Sequence, residues 1–395
     1  MSTIDMDTVP AIDPDIRARM VQWRQDIHAH PETAFTEHRT SELVAGVLGD
    51  LGLDVHRGLA GTGVVATLYN GEGPAIGLRA DMDALDIHEC SGVAYASRTP
   101  GKMHACGHDG HTAMLLGAAA QLARAPDFRG TVHFIFQPAE ENEGGGRVMV
   151  EQGLFERFPV AAVYGMHNFP ELPLGHFAIR EGCMTAFLDN FEIRVEGRGC
   201  HGATPELGID PIVAAAQLVG ALQTIASRTL SAREAGVVSV TQIHGGDTWN
   251  VIPPQVVLRG TTRALDAGVR ERIEAAMQRI CRGTAEATGA GIVLDYRRGY
   301  PGVVNTGPQT RAAAAAARRV AGATNVDEEA PPIMAAEDFA FMLQRVPGAY
   351  IGIGTGRGPD TPPVHNPRYD FNDDALPLGA AYWKALVEQE LPLSQ

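Results

Sequence analysis

Ile16, Met20, Trp23 and Ile27 recur at helical spacing with Arg17, Arg19, Arg24 and Asp26 between them, so an amphipathic helix opens the chain and Pro31 ends it. Short apolar runs follow at 63–68, 75–78, 132–136 and 161–165, and 112–124 between them can be helical. This alternation predicts an α/β fold. The polar residues stand where the runs stop: Asp81 and Asp83, then Gln137 to Glu141, then His167 and Asn168. In open α/β sheets, sites collect at the carboxyl ends of strands.

From Phe187 the pattern changes. Phe191, Ile193 and Val195 alternate with Glu192, Arg194 and Glu196, as in a half-exposed strand. Asp210 and Pro211 cap and start a helix to about residue 227. Strand-like runs at 236–243 and 255–264, a helical stretch at 269–288 and a strand at 292–296 complete the order β-α-β-β-α-β, a ferredoxin-like unit. Residues 301–306 read as the return, because 312–320 is helical and 349–353 is another short apolar strand. The expected organisation is a catalytic domain of residues 1–186 and 301–395 with residues 187–300 inserted in it. The alanine-rich patches at 118–120 and 312–317 read as helix surface.

A chain of 395 residues exceeds what one core usually supports, which agrees with two domains. With 45% hydrophobic and 20% charged residues it has ample material to bury. The formal charge of -15 repels a phosphate backbone and argues against nucleic acid as a partner. The first residues, 1–14, lack a basic segment leading into an apolar stretch, and no apolar run of about 18 residues occurs. The expectation is a cytoplasmic protein with no membrane partner. Five scattered cysteines are not a disulfide framework; Cys90, Cys183, Cys200 and Cys281 read as small buried apolar residues.

Cys106 stands apart, because Gly107 and His108 follow it in Met-His-Ala-Cys-Gly-His-Asp-Gly-His at 103–111. A thiolate and an imidazole at that spacing converge only from a turn or an extended segment, and they suit a borderline or transition metal. Glu140 and Glu141 follow the 132–136 strand; in an extended loop they point to opposite sides, one to bind a metal and one to act as general base. A Glu-Glu dipeptide alone reads as two solvated acids, and its place after a strand reverses that reading. His167 ends the 161–166 run, and His365 lies between Pro363 and Pro367. A lone histidine is more often structural, so these two count only as members of a set with Cys106, His108 and Glu141. Asp81 and Asp83 either form an acidic turn or orient ligand imidazoles. Phe187 and Trp249 read as core packing or as aromatic substrate contacts.

These blocks, together with HPE at 30–32, CHGATP at 200–205, NVIP at 250–253, AAEDFA at 335–340 and HNPRYDFND at 365–373, resemble the M20 metallopeptidases. The resemblance is to the amidohydrolase branch of hippurate hydrolases, N-acyl-amino-acid deacylases and indole-acetyl-amino-acid hydrolases. It implies a mixed-sheet catalytic domain of zinc-exopeptidase type with an inserted ferredoxin-like lid that mediates dimerisation, in a homodimer or homotetramer. It further implies two divalent ions, Mn2+ or Zn2+ with Co2+ or Ni2+ as alternatives, held by Cys106, His108, Glu141, His167 and His365. Glu140 then matches the base, Asp83 an orienting acid, and His201 a lid histidine that stabilises the tetrahedral intermediate. Asn250 and Arg263 match substrate contacts. One departure is Asp81, which stands where the peptidase branches carry a histidine, with Cys106 near their bridging aspartate. The implied reaction releases a carboxylic acid and an amino acid from a small N-acyl amino acid. Rival readings are a dipeptidase or aminoacylase of the same superfamily, a non-catalytic metal-dependent binding protein, and a closed structural zinc site, which five candidate ligands fit poorly.

Overall fold

A computed structural model of the chain describes residues 12–141 and 143–393; residues 1–11, on which the expected absence of a leader segment partly rests, lie outside the described residues. The chain divides into two compact units, one of residues 1–182, 304–331 and 338–395, the other of residues 183–303 and 332–337.

The first unit is built on an eight-stranded mixed sheet. Its strands are β1 (Asp54–Leu59), β2 (Gly63–Asn70), β3 (Ala75–Asp81), β4 (Gly130–Gln137), β5 (Ala162–Pro173), β6 (Phe177–Ala178), β7 (Val326–Asp327) and β8 (Gly348–Gly356). They lie in the order β1-β2-β4-β3-β5-β8-β6-β7. The central four, β4, β3, β5 and β8, run parallel, so their carboxyl ends share one edge. Strand β3 pairs with β5 only from Ile76 opposite Ala162 to Arg79 opposite Gly165, whereas β8 stays beside β5 as far as Gly356 opposite Pro173. The sheet thus forks beyond Gly165, and His167 sits in the fork.

Helix α1 (Pro14–Ala29) starts as its sequence dictates: Asp13 accepts from the Asp15 amide and Pro14 occupies the first turn. It buries Ile16, Met20, Trp23 and Ile27, each worth roughly 1.5–3 kcal/mol when fully withdrawn from water. Helix α2 (His38–Asp50) has Glu37 at its N-cap with no capping bond from that side chain; Glu32 caps it from upstream, accepting from the Arg39 and Thr40 amides at 3.0 and 2.9 Å. Helices α3 (His108–Arg124), α4 (Gly307–Ala321) and α5 (Leu376–Glu390) complete the main packing. The alanine patches are not helix surface. Ala118 to Ala120, Ala313, Ala314, Ala316 and Ala317 are all buried, where short side chains let α3 pack against α1 and α5, and α4 against α5. At Gly117 a Cβ would stand 2.4 Å from Met20 Sδ, so the approach of α1 to α3 leaves no room for a side chain.

The second unit holds a four-stranded antiparallel sheet with Gly236–His244 at one edge, then Gln255–Ala264, Phe187–Glu196 and Gly291–Arg298. That spatial order is the ferredoxin-like one. Helices Pro211–Leu222 and Ala267–Thr288 pack on it, the first capped by Asp210 through the Ile212 and Val213 amides. The first helix is shorter than its sequence suggests, because the chain widens into a π-type turn at Ile225–Thr229. Among the described residues no helix is long and apolar enough to cross a membrane.

Candidate metal centre

The chain after β3, the start of α3, the turn after β4, the fork in β5 and the loop around His365 all contribute to one cluster. Gly107 is the pivot. Its φ of 89° reverses the chain between Cys106 and His108, and a Cβ there would lie 2.3 Å from Asn168 Oδ1 and 2.7 Å from Tyr369 OH. Only glycine allows both the left-handed backbone and the approach of those two polar atoms. His108 thereby becomes the first residue of α3 while Cys106 precedes the turn, and their side chains share a site.

The histidines are oriented through their second nitrogens. His108 Nδ1 lies 2.9 Å from the Asp83 carbonyl oxygen and 3.2 Å from Asp83 Oδ1, which makes it the protonated nitrogen and leaves the Nε2 lone pair facing the cluster. His167 Nδ1 donates to the Asn168 carbonyl at 2.8 Å, so its Nε2 faces Cys106 Sγ at 3.4 Å. His365 adopts φ 64°, strained for a side-chain-bearing residue, and its amide donates to the Ala105 carbonyl at 2.7 Å. That bond fixes the half-exposed imidazole beside Cys106.

The turn after β4 is not the extended loop expected. Ala139 has φ 53°, and Glu140 and Glu141 form a triad with His108 in which the candidate donor atoms all lie within 4.8 Å of one another. The two carboxylates face one site because a left-handed residue, rather than a pleated run, precedes them. The Glu141 amide donates to Asp83 Oδ2 at 2.9 Å, so a single aspartate holds the His108 ring and the Glu141 backbone.

Two overlapping triads result, Cys106 with His108 and His167, and Cys106 with Glu141 and His365, each within the same 4.8 Å limit. The five side chains expected as ligands therefore gather in one place, with Glu140 beside them. Two buried atoms in the cluster have no hydrogen-bond partner, His108 Nε2 and Glu141 Oε1. His365 Nε2 lies 3.0 Å from Glu141 Oε1 but off the line a hydrogen bond requires. Sulfur, imidazole nitrogen and carboxylate oxygen with orphaned lone pairs fit divalent cations of intermediate softness.

With no cation present, the cluster holds protons that a bound cation would displace. Burial, together with the Glu141 carboxylate, pushes the Cys106 thiol up, so a cation is what would hold it as thiolate. Burial and the neighbouring His111 push His167 down, keeping it neutral and ligand-ready. The Cys106 and Glu141 side chains push His365 up to about 10. Burial opposes charge on His108, but the Asp81 carboxylate outweighs it and holds its pKa well above the usual range.

Beneath the cluster lies a buried network that motif reading alone did not connect. Arg79 donates to Gln137 Oε1 at 2.8 Å, Asp81 Oδ2 at 2.7 Å and Asp338 Oδ1 at 3.1 Å. Gln137 and the Gly146 amide also donate to Asp338, at 2.7 Å each. Asp81 also lies 2.6 Å from His111 Nδ1, and the Asn168 amide donates to His111 Nε2 at 3.0 Å. Asp81 is thus engaged by a guanidinium and an imidazole, which answers why an acid can stand there.

The remaining expected residues lie in the second unit. His201 is exposed on the short strand Cys200–His201, which pairs with Val251–Ile252. The Ala203 amide donates to His201 Nδ1 at 3.0 Å, leaving Nε2 as the protonated, outward donor. Asn250 adjoins it, its carbonyl accepting from the Gly202 amide at 2.7 Å. Arg263 belongs to the other, four-stranded sheet and bonds its Nη1 to the Thr262 carbonyl at 2.9 Å. Trp249 is fully exposed and not core, whereas Phe187 packs against the core of its unit. Of the four cysteines read as buried, only Cys281 is; Cys90 is exposed, and Cys183 and Cys200 are intermediate.

A cluster of N, S and O donors of the types that hold a cation, with a second carboxylate beside it on the carboxyl edge of a mixed α/β sheet, is the arrangement of a metallohydrolase of exopeptidase architecture. Residues 77–389 match the model of peptidase family M20/M25/M40. The chain belongs to that family, in its amidohydrolase branch, and is a hydrolase of amide bonds. It is 38% identical over 383 residues to the hippurate hydrolase of Campylobacter jejuni, covering 97% of this chain and 99% of that one. It is also 38% identical over 380 residues to an N-acetylcysteine deacetylase of Bacillus subtilis, covering 95% and 97%. A crystal structure of a dinuclear metal-binding M20 peptidase from Bacillus subtilis superposes with a TM-score of 0.84 at 35% identity, over 96% of this chain and 99% of that one.

Proposed function

We propose that this protein hydrolyses N-acyl amino acids to a carboxylic acid and a free amino acid. The carrying observation is the cluster itself: five donor side chains with two orphaned buried lone pairs, and a sixth group, Glu140, in reach of them but additional to their number. Cys106, His108, Glu141, His167 and His365 are the residues that would hold two divalent cations, Mn2+ or Zn2+ with Co2+ or Ni2+ as alternatives, Cys106 serving both triads. Such cations, when bound, supply Lewis acidity and lower the pKa of water.

Glu140, only 6% exposed, accepts the proton of the attacking water and returns it to the amide nitrogen as the C–N bond breaks. Asp83 fixes the tautomer of His108 and the backbone of Glu141. His201, whose protonated Nε2 points outward, donates to the oxygen that gains charge in the tetrahedral intermediate. Asn250 and Arg263 bind the substrate's polar end.

The second unit supplies the surface for a homodimer. Its helix Pro211–Leu222 exposes Ile212, Val213 and Ala216, and its sheet ends in the strand Gly236–His244 with one edge unpaired. A thiol among the ligands, and five cysteines without a disulfide among them, suit the reducing cytoplasm. The test is release of amino acid from N-acetyl, N-benzoyl and indole-acetyl conjugates by metal-loaded protein. No release from any conjugate sinks the reading, and a Glu140→Gln variant that keeps its metals and stays within about tenfold of wild type removes Glu140 as the base.

A further inference from the structure

Glu37 is fully buried and belongs to none of the triads, yet one of its bonds reaches the turn that carries Glu140. Its Oε1 accepts from the Ala139 amide at 2.9 Å and from the Phe35 amide at 3.1 Å, and its Oε2 from the Thr62 hydroxyl at 2.6 Å. Among the described residues four other than glycine have positive φ: Phe35, Ala60, Ala139 and His365. Two of those four give their amides to this one oxygen. A left-handed backbone at a residue with a Cβ persists only where its surroundings over-determine it. At Ala139 both peptide groups are held, the amide by Glu37 and the carbonyl by the Gly145 amide at 2.8 Å, and a Cβ on Gly145 would come within 1.8 Å of the Pro138 carbonyl oxygen. Glu37 is free for this because Glu32 caps α2 in its place.

We propose that Glu37 is a positioning residue for the base: its carboxylate clamps Ala139 in the left-handed conformation and so aims Glu140 into the cluster, opposite Asp83, which holds the Glu141 amide on the other side. The catalytic half of this rests on the proposed function; the clamp does not. Burial pushes the Glu37 carboxyl up to about 7, so what the clamp needs is an acceptor oxygen at the right reach rather than a charge. All three donors can be met by a glutamine, whose oxygen accepts the two amides while the Thr62 hydroxyl turns to accept from the new NH2 group. An aspartate keeps the charge but withdraws the oxygen by roughly one bond, about 1.5 Å.

The two variants therefore separate reach from charge. In metal-free protein, amide hydrogen exchange of a fragment covering residues 136–146 is expected to quicken about tenfold in Glu37→Asp and to stay within about threefold of wild type in Glu37→Gln. In metal-loaded protein, kcat is expected to fall at least about tenfold in Glu37→Asp, with KM and metal content unchanged, and to return to within about threefold in Glu37→Gln. Exchange in Glu37→Asp equal to wild type, or Glu37→Gln as impaired as Glu37→Asp, overturns the clamp. Loss of metal in step with kcat overturns the aiming of Glu140. Wild-type protein that turns over no conjugate removes the proposed function, and the exchange measurement still decides for or against Glu37.

Discussion

Replacing Asp83 by asparagine tests how much of the metal centre is set from outside its ligands. The carboxylate accepts on both oxygens, from His108 Nδ1 at 3.2 Å and from the Glu141 amide at 2.9 Å. Asparagine offers one acceptor and turns its NH2 toward the other donor. His108 keeps the Asp83 carbonyl at 2.9 Å, so the asparagine oxygen is best used on the Glu141 amide, and the NH2 group is left facing the His108 Nδ1–H without an acceptor. One buried donor left without an acceptor costs about 1–3 kcal/mol, and carboxylates behind metal-ligating histidines are worth about 10–100-fold in affinity, which is about 1.4–2.7 kcal/mol. The two estimates agree, so the expected result is a 10–100-fold (about 1.4–2.7 kcal/mol) weaker metal dissociation constant in a protein that still folds. Titration of metal-free protein in a chelator buffer measures it, with circular dichroism to verify the fold. A folded Asp83→Asn variant within about threefold of the wild-type affinity refutes the argument that Asp83 orients the donors.

Gly107→Ala must either abandon φ 89° or displace Asn168 and Tyr369 from contacts of 2.3 and 2.7 Å, so it should lower stability by about 2–4 kcal/mol and metal content with it; denaturant titration beside metal analysis checks both. Burial pulls His133 on β4 down from 6.5 to about 4, so the unfolded chain binds its proton first and stability is lost as pH falls through that window. Removing this group as His133→Asn should flatten the acid limb by about 1–3 kcal/mol, read as urea midpoints at pH 7 and pH 4. Stripping metal with a chelator should lower the melting temperature, and returning it should raise the midpoint in proportion to the logarithm of free metal; a midpoint indifferent to metal argues against cations at Cys106 and His108.

Several strands of both units were legible because they are short apolar runs bounded by polar ends. Helix α5 left no such trace: Leu376 to Ala381 and Tyr382 to Val387 are buried nearly all round, so no apolar stripe alternates with a polar face. The same cause misled the reading of the alanines, which report close helix contact only when the partner helix is known. The donors of the cluster were legible as residue types at fixed spacings. Their orientation was not, because it depends on Gly107, Ala139 and His365 taking left-handed backbone and on the Asp83 carbonyl, and none of these leaves a signature in side-chain chemistry. Glu37 was invisible for a related reason: it acts through a backbone amide about a hundred positions away, and loop closure over that distance costs the chain little once the sheet has formed.

The order in which the donors occur along the chain has a consequence for biosynthesis. Cys106 and His108 leave the ribosome early and close together, whereas His365 emerges only near the end, after the whole inserted unit. A nascent chain that has reached the inserted unit already carries Cys106, His108, Glu141 and His167, but it lacks His365, the group that completes the second triad. On the proposed function, the second triad closes only after the inserted unit has been made, so hydrolytic competence follows the synthesis of both units.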